Sequence, residues 1–321
     1  MRENEASIRG RVVRDLIAHT TNDLLIGKKI KNGELRKQIG TAEPPWKCPE
    51  CFTMQTIEME HFTMELLESK ENANRDKIIL QLHGGGYVGA MRNAYRMFAG
   101  LYNEVSHGMS VLTPDYRVAP EHPYPAALED TIAAYHWLLE QGYPAEKIVV
   151  AGDSAGGGLA LALCLWLKNH KEPLPSGVIA MSPWTDLTIS GESVETNFEK
   201  DPLFGKTRDS MLYNKDYLGD NDPTNEYISP LFGDYEGFPP LLIQVGSYEM
   251  LLSDSTRVAK KAKEAGGKVK LSIYEGMFHV FQMAMLLMPE SKKAWAEIKR
   301  FLHYLDTEEN EMQNISKEEK A

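Results

Sequence analysis

The chain has 321 residues, is 42% hydrophobic and carries a formal net charge of −11 at neutral pH. That apolar content suffices for one large core, or a core with an accessory layer. The acidic balance, with no block of clustered Lys and Arg, excludes a nucleic-acid binder and favours a neutral, non-acidic guest.

Residues 1–50 open with the charged stretch MRENEASIRG, which lacks the apolar core of a secretory signal. They continue as an amphipathic helical pattern, ASIRGRVVRDLIAHT, with no strand. Cys48-Pro-Glu-Cys51 is a lone C-x-x-C with only His61 close in sequence, whereas a structural zinc needs a second ligand pair. No metal is expected, and the three cysteines, Cys48, Cys51 and Cys164, fit a reducing compartment rather than a disulfide framework.

After residue 75 a repeating alternation begins. The runs KIILQLH, SVLTPDY, KIVVAGD, GVIAMSP, LLIQVG and VKLSIYE are rich in Val, Ile and Leu and are separated by helix-length stretches. That pattern predicts an α/β fold with a mostly parallel central sheet flanked by helices. Residues 186–235 break it with a long polar insert of the kind that serves as a lid. The longest apolar run, Gly158 to Leu167, is about ten residues, half of what a bilayer span requires. A cytoplasmic protein without membrane insertion is the expectation. After Asp306 the sequence TEENEMQNISKEEKA has almost no apolar content and reads as a flexible acidic tail or a solvated helix end.

Within IVVAGDSAGGGLALALCLWL a strand runs into Gly152-Asp153-Ser154-Ala155-Gly156 and an apolar helix follows at once. A serine in so tight a strand-to-helix turn needs neighbours without bulk, and the helix start places amide donors beside any charge that forms there. Upstream, LQLHGGGYVGA admits two readings. Gly84, Gly86 and Gly89 fit a dinucleotide fingerprint, with Asp115 as the ribose-binding acid. Alternatively, His83-Gly84-Gly85-Gly86 offers amides to a tetrahedral oxyanion. The second reading requires a nucleophile elbow further on, then an acid, then a histidine, and the elbow is present.

Among nine histidines, His279 in YEGMFHVFQ lies just past the final strand, at the edge where such a sheet delivers side chains beside the elbow. The acid should follow LLIQVG and orient that imidazole. Glu249 and Asp254 both qualify; Asp254 has a second explanation as a first-turn carboxylate facing a helix dipole, so Glu249 is preferred.

These pieces resemble the hormone-sensitive-lipase-like microbial carboxylesterases of the α/β-hydrolase superfamily. The resemblance rests on HGGGY at 83–87, DYRVAPEHPYPAALED at 115–130, GDSAGG at 152–157, SPWTDLT at 182–188, YISPLFGDYEGFPPLLIQVGSYEMLLSDS and FHVFQ at 278–282. It implies an α/β-hydrolase core at 51–185 and 236–305, with a helical cap from segments 1–50 and 186–235. It implies a carboxylic ester hydrolase without a cofactor, acting on short to medium acyl esters, in which Ser154 attacks, His279 moves the proton and Glu249 is the acid. Acid spacing in such proteins favours Glu249, although Glu stands where Asp is usual and Met250 where Pro is usual, which keeps Asp254 open. The oxyanion hole would comprise Gly84, Gly85, Gly86 and Ala155. Tyr87, Asp153, Leu187, Phe204 and Leu212 are candidates for the substrate pocket, each with a plain core role as the alternative. Asp115, Arg117 and Glu121 would form a buried network bracing the oxyanion loop, and a homodimer through an edge strand is implied. Lactone or acetylated-carbohydrate hydrolysis by the same triad, or a hydrolase-fold binding protein without turnover, are the other readings.

Overall fold

The computed structural model describes residues 6–21 and 43–318. Eight strands form one sheet: β1 (Phe52–Glu58), β2 (Thr63–Ser69), β3 (Asn74–Leu82), β4 (Met109–Asp115), β5 (Ile148–Asp153), β6 (Gly177–Met181), β7 (Leu241–Gly246) and β8 (Val269–Tyr274). Their order is β1-β2-β4-β3-β5-β6-β7-β8. β1 pairs antiparallel with β2 and β2 with β4, whereas every pairing from β4 to β8 is parallel.

The six parallel strands are the six apolar runs expected from sequence. Every residue of β5, β6 and β7 is buried, as strands covered on both faces must be. Alternate residues feed different layers, following the two-residue period of a strand. Ile78, Leu80, Ile148 and Val150 join one core with α3 (Ala126–Glu140), α4 (Ala155–Asn169) and α5 (Leu252–Glu264). Ile79, Val111, Val149 and Ala151 join a second, against α2 (Asn93–Val105) and α6 (Pro289–Glu318).

The β1–β2 hairpin has no counterpart among the runs read from sequence. FTMQTIE mixes Thr, Gln and Glu with only three apolar residues, and none of its residues is fully buried. Its role is to cover β4: Met64 and Leu67 of β2 are buried, and the Met59 amide donates to Phe62 O at 2.9 Å to close the turn.

Helix α1 (Ile8–Thr21) lies within the expected N-terminal helical segment; positions 22–42 of that segment fall outside the described residues. Ala6, Val13 and Ile17 pack beside Met277, Phe278 and Phe281. The insert at 186–235 carries one four-residue helix, Ser193–Thr196, and two 3-10 turns. It is therefore a compact layer of turns rather than long helices, docked through Leu212, Tyr217, Ile228 and Tyr235. At the other end, α6 continues to Glu318, so most of the expected acidic tail extends a helix. Its Glu, Gln, Met and Lys residues are good helix formers whose lack of apolar periodicity hides them from a core-based reading.

Candidate active site

Four loops meet at the carboxyl edge of the parallel strands, where open α/β sheets place their ligands. They follow β3, β5, β7 and β8. The loop after β5 is the tightest. Ser154 sits at φ 54°, ψ −122° between the strand and α4, a conformation costing about 1–3 kcal/mol for a residue other than glycine. A Cβ on Gly152 would lie 2.2 Å from Gly156 O, and one on Gly156 would lie 2.2 Å from Leu82 O and 2.4 Å from His83 O. Only glycine fits either position, which is the physical content of the G-x-S-x-G spacing. The Ser154 amide donates to Met181 O at 2.9 Å, while its carbonyl accepts from Gly158 and Trp184.

His279 arrives from the loop after β8. Its Nε2 is 2.9 Å from Ser154 Oγ and its Nδ1 is 2.9 Å from Glu249 Oε2. Glu249 is fully buried, and its other oxygen accepts from the Ser182 hydroxyl at 2.7 Å and from the Gly246 amide. Ser154, His279 and Glu249, separated widely in sequence, thus form one hydrogen-bonded line. Asp254 stands elsewhere. Its carboxylate accepts from the Thr185 and Asp186 amides at 2.7 and 2.9 Å, and burial pushes its pKa up to about 7. Instead of facing the dipole of its own helix alone, it holds the loop that follows β6.

The loop after β3 turns through Gly85 at φ 115°, Gly86 at φ 63° and Tyr87 at φ 59°. His83 anchors it from beneath: the ring is fully buried, stacks on Tyr116 at 4.0 Å, and its Nδ1 lies 2.8 Å from Gly84 O. Burial holds that imidazole below its ordinary pKa, in the neutral form. Gly84 does not belong with the free oxyanion donors, because its amide already donates to Asp153 Oδ1 at 3.2 Å. Asp153 in turn is no pocket residue. It lies 3% exposed beneath the loop, and burial raises its pKa to about 7. Ala155 opens α4, so its amide has no intrahelical acceptor.

The expected bracing network is arranged differently. Arg117 pairs with Asp130 at 2.7 Å and Glu129 at 3.3 Å, Asp115 accepts the Met91 amide at 3.0 Å, and Glu121 is exposed. Arg117 therefore ties the end of β4 to α3.

Of the expected pocket residues, Phe204 reaches the site: its ring centre is 4.7 Å from that of His279. Tyr87 and Leu212 belong to the core, Tyr87 being stacked on Tyr217 at 3.8 Å. Leu187 is half-buried, with its amide on Ser229 Oγ at 2.8 Å. Met211, which the sequence did not single out, packs on the loop after β3; a Cβ on Gly86 would meet its Sδ at 2.2 Å.

The insert is also stitched to the loop after β7. Asn197 Nδ2 donates to Ser247 O at 3.0 Å and Glu249 O at 2.8 Å. Asp201 accepts the amides of Leu203, Phe204 and Met250, and Ser193 Oγ donates to Met250 O at 2.6 Å. None of these three had a sequence signal for its contact with 249–250, since those partners are about 50 residues away.

Among the described residues no cluster of three or more His, Cys, Asp or Glu could hold a metal, and no helix is long and apolar enough to cross a membrane. Cys48 and Cys51 are both exposed and free.

The model of a family with the α/β-hydrolase fold matches residues 79–283. An esterase of Acinetobacter venetianus is 42% identical over 241 residues, 74% of this chain and 78% of that protein. An acetyl-hydrolase of Streptomyces hygroscopicus is 35% identical over 286 residues, 88% of this chain and 92% of that protein. Among solved structures, an esterase/lipase from an uncultured bacterium superposes with a TM-score of 0.84 at 34% identity, covering 94% of this chain and 99% of that one. An esterase from the bacterial hormone-sensitive lipase family gives 0.83 at 35% identity, covering 93% and 98%. Sheet order, matched segment and relatives agree that the chain belongs to the α/β-hydrolase family and, within it, to the hormone-sensitive-lipase-like carboxylesterases.

Proposed function

We propose that the protein hydrolyses carboxylic esters of short to medium acyl chains through an acyl-enzyme on Ser154, with His279 as general base and Glu249 as the orienting acid. The observation that carries this reading is the unbroken line of two 2.9 Å contacts from Ser154 Oγ through His279 to Glu249. Ser154 Oγ attacks the ester carbonyl as His279 Nε2 takes its proton. The imidazolium that forms faces the buried carboxylate of Glu249, which fixes the tautomer and stabilises the charge. Amides of Gly85, Gly86 and Ala155 donate to the tetrahedral oxyanion. His279 returns the proton to the departing alkoxide, so the alcohol leaves. A water molecule, deprotonated by the same imidazole, then cleaves the acyl-enzyme to release the acid and restore Ser154.

No step needs a cofactor. The N-terminal helix and the 186–235 insert act as the cap over this site, Phe204 and Met211 being the walls nearest His279 and Gly86. The acetyl-hydrolase among the relatives favours a small acyl group within this class. Free thiols at Cys48, Cys51 and Cys164 support a reducing, cytoplasmic setting. β8 ends the sheet with Ile273 48% exposed, which supports a homodimer through that edge.

Turnover of a p-nitrophenyl ester series from acetate to octanoate tests the reading. Ser154→Ala, folded as wild type by circular dichroism, should lose at least about three orders of magnitude in kcat. Retained turnover in that variant would end the proposal.

A further inference from the structure

β6 ends at Met181, and the next residue, Ser182, turns into the left-handed region at φ 47° while fully buried. Its amide donates to Gln244 O at 2.7 Å. Its hydroxyl donates to Glu249 Oε1 at 2.7 Å, and the same oxygen accepts the Val280 amide at 3.1 Å. One hydroxyl thus touches the carboxylate that faces the imidazole and the backbone immediately after that imidazole. We propose that Ser182 is a positioning residue of the hydrolytic reaction, locking the Glu249 carboxylate to the His279 loop so that Oε2 stays on Nδ1.

The inference rests on the triad reading above, and three features carry it beyond that reading. First, a residue held at φ 47° is more cheaply a glycine, yet a buried serine occupies the position. The hydroxyl is what glycine could not supply. Second, Val280 is itself at φ 48°, an outlier for a β-branched residue. The hydrogen bond from its amide to Ser182 Oγ holds that conformation one residue from His279. Third, Glu249 has one more rotatable bond than aspartate, so an anchor at Oε2 alone leaves the carboxylate free to swivel. Ser182 and the Gly246 amide together fix Oε1, and the second oxygen is left with one direction to face.

The test is a double-mutant cycle between Ser182→Gly and Glu249→Ala, read as kcat and KM on p-nitrophenyl butyrate, with Ser154→Ala alongside. Glycine suits the backbone at this position. Ser182→Gly should therefore fold but lose about 10- to 100-fold in kcat, the scale of one hydrogen bond to a charged group, with KM within twofold of wild type. In the Glu249→Ala background the same substitution should cost almost nothing more, because the group it acts through is gone. A merely structural serine would give losses that multiply across the two variants, and that result overturns the proposal, as does wild-type kcat in Ser182→Gly. If Ser182→Gly does not fold, Ser182→Ala enters the same cycle with the same expectations. Activity surviving in Ser154→Ala would instead overturn the triad reading, so the two failures are distinguishable.

Discussion

Glu249 is the position at which a small change has a calculable effect. Glu249→Asp removes one methylene and draws the carboxylate back by about 1.5 Å. The Glu249 to His279 separation, 2.9 Å now, would grow to about 4.4 Å, beyond hydrogen-bond reach. At an effective dielectric constant of about 20, attraction between the carboxylate and the imidazolium formed during catalysis weakens from about 5.7 to about 3.8 kcal/mol. The difference, about 2 kcal/mol, corresponds to about 30-fold in kcat. Glu249→Gln removes the charge itself and should cost on the order of 10³ to 10⁴. Initial rates on p-nitrophenyl butyrate at pH 7.5 measure both, with thermal unfolding as a control for folding. Asp254→Asn belongs in the same experiment, and should lower the melting temperature more than kcat because its bonds hold Thr185 and Asp186. An Asp254→Asn variant more damaged in kcat than Glu249→Gln, or a Glu249→Asp variant within threefold of wild type, would refute the reasoning.

Gly156→Ala would drive a methyl group against two backbone oxygens at 2.2 and 2.4 Å. A fall of about 5 °C or more in Tm is expected, and an unchanged Tm would contradict the steric argument. Asp153 has a folded pKa of about 7 against an ordinary 3.8, so the folded state binds the extra proton. Its contribution is complete below the unfolded value and is lost as pH rises through 7, at no more than about 1.4 kcal/mol per pH unit. Chemical denaturation between pH 5 and 8 should show that decline, and Asp153→Asn should reduce the slope without abolishing it, because Asp254, also raised to about 7, contributes in the same sense. Met211→Ala should open the space beside Gly86 and raise the octanoate-to-acetate ratio of kcat/KM about tenfold; an unaltered chain-length profile would show that Met211 is not a pocket wall.

Much of the site was legible because its chemistry is local. Gly152 and Ser154 are dictated by contacts within one turn, whereas Gly156 is dictated by the end of β3 at Leu82 and His83, and the order of elbow, acid and histidine follows from strands that end at a common edge. Glu249 is preferred because Asp254 has a second explanation in the first turn of its helix, and the spacing from His279 implied by the resemblance points the same way. What stayed hidden is long-range. That the Gly84 amide is occupied depends on Asp153, 69 positions away. That Ser182 meets Glu249 depends on a contact across 67 positions, and the SPWTDLT motif carries no periodicity that would announce it. The β1–β2 hairpin escaped for a different reason: a strand pair at the sheet margin, half exposed, lacks the unbroken apolar run that marks a covered strand.

The stitching of the 186–235 insert to the loop after β7 has an evolutionary consequence. Asn197 and Asp201 lie in the same stretch of chain as Phe204 and Met211, and they grip the backbone at 247–250. On the proposed triad and cap, recognition and turnover are mechanically wedded: a lineage that rewrites the insert to admit a new alcohol or acyl group also disturbs the footing of its own acid. Diversification should proceed by exchanging side chains at the wall positions while the tethers stay put, and a wholesale lid transplant from a relative should arrive with its chemistry impaired until those tethers are restored.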